Sequence, residues 1–156
     1  MLGLKREFYL NLKKIENYKQ VCKLESLYYQ HGRTTVHKHS RNVAYFSLLL
    51  ARKLEKIFSI KFNYDNLIIG AFLHDLFLYD WHEKSVTHRL HGYRHPLTAS
   101  INAQKMCNVN NEVIKIIQSH MWPLTITKVP ISREAIIVCI VDKIMAIIET
   151  FENIKV

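Results

Sequence analysis

Residues 67–75 read Leu-Ile-Ile-Gly-Ala-Phe-Leu-His-Asp, an apolar run that ends in an adjacent imidazole and carboxylate. Asn63 precedes the run as a capping residue, and the spacing predicts a helix over residues 64–77. The run is apolar on nearly every side, which is typical of a helix buried in a core. His74 and Asp75 are therefore expected in the interior, where an ionised carboxylate needs a partner.

The composition favours a helical globular protein. Of the 156 residues, 49% are apolar and 22% are charged, with only four glycines and three prolines. A chain of this length forms one domain with a sizeable core, and the scarcity of glycine and proline favours long regular elements. We expect an all-α fold, a compact single-domain bundle of six to seven helices over residues 1–156. We expect the N-terminal helices, within residues 4–29, to pack on the remainder of this bundle.

Apolar residues recur at helical spacing in most of the remaining chain. Further helices are predicted over residues 7–29 with a break, 39–58, 96–107, 110–120 and 133–151, with Asn110 and Ser132 as caps. Residues 30–38 are expected to form a polar link, 79–96 a long loop, and 121–131 a connector. Two helices carry stripes that we expect to face the core. These are Val43, Ala44, Phe46, Leu50 and Leu54, and then Ile136, Ile137, Cys139, Ile140, Ile144 and Ile147.

The formal net charge is +9. Solvent-exposed helix faces explain the lysines and arginines of the chain better than a nucleic-acid-binding surface does. We therefore do not expect a nucleic-acid partner. No segment approaches the roughly 20 apolar residues that span a bilayer, so no membrane association is expected. Three cysteines without CxxC spacing and the absence of a signal-like segment favour a reducing compartment. We expect a soluble, cytoplasmic protein, and a homodimer is left open.

A set of imidazoles and carboxylates falls at or near the ends of the predicted helices. Its members are His39, His74, Asp75, His95, His120 and Asp142. For any one of them alone, a hydrogen bond to a carbonyl or an arginine is the commoner explanation. As a set they indicate a site for one or two metal ions. His37 could replace His39 if that helix begins earlier.

Three motifs occur in a fixed order along the chain. They are His39-Ser40-Arg41-Asn42-Val43-Ala44, then Gly70-Ala71-Phe72-Leu73-His74-Asp75, then Val141-Asp142-Lys143. In this order and spacing they resemble the HD-domain metal-dependent phosphohydrolase superfamily. The chain is similar to a small bacterial, single-domain member over roughly residues 36–149, and the resemblance implies an HD-type helical bundle.

The resemblance also implies a ligand set. The basic metal site corresponds here to His39, His74, Asp75 and Asp142, and two-metal subfamilies add two histidines, for which the chain offers His95 and His120. Asp75 would then bridge two ions, with His39, His74 and Asp142 on one ion and His95 and His120 on the other. Mixed imidazole and carboxylate ligation suits Fe, Mn, Zn, Ni or Co, at one or two ions per chain.

The implied activity is hydrolysis of a nucleotide or another small phosphate mono- or diester by a metal-activated hydroxide, with Asp75 as the catalytic bridging carboxylate. After Asp75 many relatives continue with a glycine and a lysine, whereas this chain continues with Leu76-Phe77-Leu78-Tyr79-Asp80-Trp81. It also lacks the GYP signature of cyclic dinucleotide phosphodiesterases. Two alternatives stay open: an HD-fold mixed-valence di-iron oxygenase, and a non-catalytic regulatory module that binds a nucleotide.

The long loop over residues 79–96 supplies candidate contacts to an anionic substrate, because long loops in compact domains are often functional. The substrate-binding candidates are Lys84, Arg89, Arg94 and Lys143, since their cations can hold a phosphate. The loop histidines His82, His88 and His91 are expected to be exposed. A small phosphorylated anion is therefore the expected partner.

Overall fold

The structure is a computed structural model that describes residues 2–31, 33–81 and 90–154. Within these ranges it contains seven helices and one small hairpin. They are α1 (Leu2–Leu12), α2 (Tyr18–Glu25), β1 (Tyr29–His31), β2 (Thr34–Thr35), α3 (Val36–Phe58), α4 (Tyr64–Leu73), α5 (His91–Cys107), α6 (Asn111–Ser119) and α7 (Arg133–Ile154). The all-α fold class is confirmed. None of the described helices is both long enough and apolar enough to cross a bilayer.

Helix α4 is the centre of the bundle, as its uniformly apolar sequence predicted. It packs against α3, α6, α1 and α7, and Leu67, Ile68 and Phe72 on it are fully buried. Gly70 allows α6 to approach closely, because a Cβ atom at this position would lie 2.8 Å from Cγ2 of Ile116. The central helix thus brings His74, the residue that caps its C-terminus, into the interior.

The predicted capping residues define the helix starts. The side chains of Asn63, Asn110 and Ser132 each accept a hydrogen bond from the backbone N–H three residues later, at 3.0, 3.0 and 3.1 Å. Thr35 does the same for α3, which therefore begins at Val36, ahead of the predicted start. The short antiparallel pair of β1 and β2 was not predicted, because it lies in a stretch with no alternating pattern.

The predicted loop over residues 79–96 is partly wrong. Helix α5 begins at His91, so Pro96 lies inside it and not in its first turn. Proline cannot donate a backbone hydrogen bond, but a side chain adds one in this turn: His95 Nδ1 donates to the His91 carbonyl at 3.0 Å. Conversely, the helix predicted over 64–77 ends at Leu73.

The predicted inner stripe of the last helix is wrong at four positions. Ile136, Ile140, Ile144 and Ile147 are 42%, 47%, 48% and 58% exposed. The buried residues of this helix include Ile137, Val138, Cys139, Val141 and Met145. The helix is apolar almost all round, so its sequence offers little contrast between faces. On α3, Phe46 is likewise exposed.

Candidate metal centre

The six predicted ligands come together in the interior although they lie far apart in sequence. His39 lies in the first turn of α3, and His74 and His120 cap the C-termini of α4 and α6. Asp75 follows α4 directly, and His95 and Asp142 lie within α5 and α7. All are buried, with exposed fractions of 0% for His39, 0% for His74, 1% for Asp75, 3% for His95, 1% for His120 and 7% for Asp142.

One group of ligand atoms, here called the first subsite, consists of His39, His74 and Asp142 with one oxygen of Asp75. Asp142 Oδ1 lies 3.1 Å from His39 Nε2 and 3.3 Å from His74 Nε2. Asp75 Oδ2 lies 3.7 and 3.3 Å from the same two nitrogens. Among the described residues, His39, His74 and Asp142 form one of the two triads whose ligand atoms lie within 4.8 Å of one another.

The second subsite consists of His95 and His120 with the other oxygen of Asp75. Asp75 Oδ1 lies 3.2 Å from His95 Nε2 and 3.6 Å from His120 Nε2. The second triad with metal-binding spacing is His74, Asp75 and His120. The two carboxylate oxygens of Asp75 thus face different pairs of histidines, which is the arrangement that a bridging ligand requires.

Three of the four histidines make hydrogen bonds to carbonyls through Nδ1, so that Nε2 faces the other ligands. Nδ1 donates to the carbonyl of Ala71 in His74 and of Ile117 in His120, both at 2.7 Å, and His95 Nδ1 donates to a carbonyl in the same way. Since Nδ1 carries the proton in a neutral ring, Nε2 carries a lone pair. His95 Nε2 and His120 Nε2 lie 2.8 Å apart, and both face Asp75 Oδ1.

Two further ligand atoms lack hydrogen bonds within the described part of the chain. His74 Nε2 and Asp75 Oδ1 are buried and have no hydrogen-bond partner. A buried polar atom without a partner costs about 1–3 kcal/mol, and a metal ion would satisfy both atoms. Borderline imidazole and carboxylate donors are the set that divalent transition metals prefer. The residues therefore fit one or two such ions.

His39 differs from the other three histidines in being held by a carboxylate. Its Nδ1 donates to Glu149 Oε2 at 2.8 Å, and Asn42 donates to Glu149 Oε1 at 2.9 Å. Burial alone lowers the pKa of His39, but its hydrogen bonds with Asp142 and Glu149 outweigh burial and raise the pKa to about 9. A carboxylate behind a ligating histidine fixes the ring and increases its basicity.

The electrostatics of the site favour cations. Burial opposes ionisation of Asp75, but the neighbouring His74 holds its pKa well below the usual range. The hydrogen bond with His39 and the nearby His74 likewise outweigh burial and lower the pKa of Asp142. Burial and the nearby His74 lower the pKa of His120 to about 3. At neutral pH the site thus offers two ionised carboxylates and the neutral imidazole of His120, whereas His39 and His74, whose pKa values are raised, must each lose a proton before they bind a metal ion.

A cavity of about 540 Å³ opens onto the ligands. Its walls include Trp81, Met121, Leu124 and Ala146, together with Gln30 of the β-hairpin. The amide of Gln30 donates to Asp75 Oδ2. The cavity therefore combines apolar walls with a few polar groups, the usual construction of a small-molecule site.

Of the predicted substrate-binding residues, Lys143 lines this cavity. Its Nζ donates to the carbonyl oxygens of His120 and Cys139 at 2.8 and 3.2 Å, so the ammonium group is held in place. Arg94 is exposed and does not line the cavity. Lys84 and Arg89 lie outside the described residues, as do His82 and His88.

The expectation that His91 is exposed is wrong. It is half-buried and stacks between Trp81 and His95, with ring centroids 5.2 and 4.5 Å away. The hydroxyl of Tyr79 lies 2.9 Å from His91 Nδ1. His91 thus supports the ligand His95, and no spacing in the sequence indicated this role.

Gln30 and Glu149 were also missed as site residues. Gln30 comes from a strand that the sequence does not predict. Glu149 did carry a signal, because it lies seven residues after Asp142, and two helical turns place both side chains on one face. A second carboxylate on the face of α7 that carries Asp142 was thus visible in the sequence.

A comparison with protein families matches residues 36–147 to the HD domain. Neither the curated proteins nor the solved structures gave a match. The matched segment covers more than half of the chain and contains all six predicted ligands. HD domains bind divalent metals, in agreement with the two His/Asp triads of this site. The chain therefore belongs to the HD domain family, a superfamily of metal-dependent hydrolase type.

Proposed function

We propose that this chain is a phosphohydrolase that uses a binuclear metal site to cleave a small phosphate mono- or diester, with nucleotides as the first candidates. The observation that carries the proposal is the orientation of the Asp75 carboxylate. Its Oδ2 lies 3.3 Å from His74 Nε2, and its Oδ1 lies 3.2 Å from His95 Nε2. A carboxylate placed in this way can bridge two cations. Family membership supports a metal-dependent hydrolase.

Bound at the two subsites, divalent cations would make water a nucleophile near neutral pH and stabilise the charge that develops on the phosphoryl oxygens. Hydrolysis would form a new P–O bond from water and break the ester P–O bond, and one proton of the water would pass to the leaving alkoxide to give the alcohol. The residues of the chain orient this reaction. Asp75 holds the two subsites together, and the Nδ1 hydrogen bonds of His74 and His120 fix their rings.

The cavity supports a small substrate with an apolar or aromatic part. Its volume of about 540 Å³ falls within the usual range of small-molecule sites, about 300–1,000 Å³. Lys143 is the cation that lines it, and we propose that it binds a phosphate oxygen. The side chains of Trp81 and Leu124 on the cavity wall would contact the remainder of the ester.

The test is a screen of phosphate mono- and diesters with metal-replete protein, measuring released phosphate or alcohol together with bound metal. A matched pair of variants, His39→Gln and His37→Gln, identifies the ligand. His39 lies in the first subsite, whereas His37 Nδ1 lies 3.5 Å from Glu25. We expect His39→Gln to lose both metal and activity and His37→Gln to retain them.

Two results would contradict the proposal. Turnover that is equal in the wild type and in His39→Gln would place the chemistry elsewhere. Oxygen uptake by the iron-loaded protein, without release of phosphate from any ester, would identify the oxygenase alternative instead.

A further inference from the structure

Helix α7 has a second face whose composition is unusual for a surface. Its exposed large side chains are Ile136, Ile140, Ile144, Ile147, Ile148 and Phe151, which are 42%, 47%, 48%, 58%, 43% and 61% exposed. We call these six the apolar face of α7. Over residues 136–151, all of which the structure describes, Thr150 is the sole other exposed residue.

The described part of α3 differs, because it mixes charged and apolar residues on its surface. Its exposed residues are Lys38, Arg41, Lys53 and Lys56 together with Phe46, Leu49, Ile57 and Phe58. Scattered exposed apolar residues are ordinary, but a contiguous apolar surface marks an interaction site. Four consecutive turns of α7 expose no charged residue. We therefore expect another protein surface to pack on this face.

We propose that the apolar face of α7 binds the same face of a second copy of this chain, as a two-fold symmetric dimer. An isologous interface needs a surface that complements itself. Isoleucines at spacings of three and four residues form ridges and grooves that can pack against an identical helix. The proposal is independent of the hydrolase activity.

The available area supports a dimer. At roughly 80–100 Å² for each half-exposed large apolar side chain, the six residues offer roughly 500 Å² per copy. Two copies would bury roughly 1,000 Å² in total, the lower limit for a specific interface. The charge distribution agrees with a dimer through this face. The formal net charge of +9 makes two copies repel each other, but no charged residue is exposed between residues 136 and 151.

The same helix carries site residues on its opposite face. Asp142 and Glu149 point inward and are 7% and 1% exposed, whereas Ile140, Ile144 and Ile147 point outward. A dimer would cover the outer side of the helix that supplies these carboxylates. Helix α7 would thus be packed on both sides, against the core of its own copy and against α7 of the second copy.

The experiment is sedimentation velocity on the full chain, from low to high micromolar concentration. We expect the wild type to reach twice the monomer mass of 18.5 kDa. Ile140→Glu/Ile144→Glu should remain at 18.5 kDa, with an association at least about tenfold weaker. The control is Ile57→Glu, because Ile57 is 57% exposed on α3 and lies outside the apolar face. It should dimerise like the wild type.

Far-UV circular dichroism verifies that the variants fold. If the paired glutamates prevent folding, the milder Ile144→Ser should still weaken the dimer. A wild type that stays monomeric at high micromolar concentration overturns the proposal and leaves a different protein or a further segment of chain as the cover. A wild-type assembly that survives the substitutions in α7 overturns it as well.

Discussion

The carboxylate behind His39 gives the sharpest test of how this metal centre is constructed. In Glu149→Gln, the amide oxygen can still accept the hydrogen bond from His39 Nδ1, which is 2.8 Å long in the wild type. The volume is kept, and only the negative charge is lost. Asn42, which donates to the other carboxylate oxygen of Glu149 at 2.9 Å, would turn its amide so that its oxygen accepts from the new NH2 group.

The structure sets the size and the location of the effect. Glu149 is 1% exposed and His39 is fully buried, so water screens little of the interaction between them. Loss of such an outer partner typically costs 10–100-fold in metal affinity, or about 1.4–2.7 kcal/mol. His95 and His120 are held by backbone carbonyls instead. We therefore expect a 10–100-fold loss at the first subsite and a change of less than about threefold at the second.

The assay is a titration of metal-free protein with Zn²⁺ in competition with a chromophoric chelator, fitted for two affinities. Glu112→Gln is the matched control, since Glu112 is an exposed carboxylate that pairs with Lys115 on the surface. Wild-type affinity at both subsites in Glu149→Gln would refute the role of Glu149. Failure of the wild type itself to bind Zn²⁺ would instead refute the metal centre.

Three further predictions follow from the geometry. In Gly70→Ala, the new Cβ meets Ile116 at 2.8 Å, and overpacking should exceed the gain in helix propensity, for a net loss of about 1–2 kcal/mol in thermal or urea unfolding; unchanged stability would contradict the close approach of α4 and α6. Burial raises the pKa of Glu25 from 4.5 to about 7, so the folded state binds this proton more tightly than the unfolded state does. The free energy of unfolding therefore falls as the pH rises from 4.5 to about 7. Glu25→Gln should therefore be more stable than the wild type by about 3 kcal/mol above pH 7 and equally stable near pH 4.5, and a difference that does not change with pH would refute this. Lys143→Ala should raise KM for the phosphate ester about tenfold with a smaller change in kcat, whereas an unchanged KM would remove Lys143 from substrate binding.

Candidate ligands could be predicted from the sequence where polar residues lie within or at the end of apolar runs. Asp75 ends such a run and Asp142 interrupts another. An ionised group in a core needs a partner, and one metal ion can be the partner of several such groups. The helix starts at Asn63 and Asn110 were predictable for a local reason, since one side chain determines each.

The outward orientation of α7 could not be predicted, because hydrophobic periodicity identifies a face only when another face is polar. Between Ile136 and Phe151 nearly every position is apolar, so burial is decided by where Asp142 must point and not by hydropathy. The hairpin and Gln30 were missed for a different reason. Three- and two-residue strands are too short to show an alternation, and their pairing is a tertiary contact.

Protons and metal ions compete for the same atoms in this site. In the metal-free protein His39 bridges Asp142 and Glu149, and its pKa of about 9 means that it is protonated at neutral pH. Because this pKa lies above the ordinary value of 6.5, protonated His39 stabilises the folded state. This contribution is complete below about pH 6.5 and is lost as the pH rises through about 9. His74, whose pKa is also raised, adds to the same trend. A cation at the first subsite must displace these protons, so its affinity should rise with pH over the range in which the metal-free fold weakens. Asp142, which raises the pKa of His39, is thus also a candidate ligand of the cation that would displace this proton.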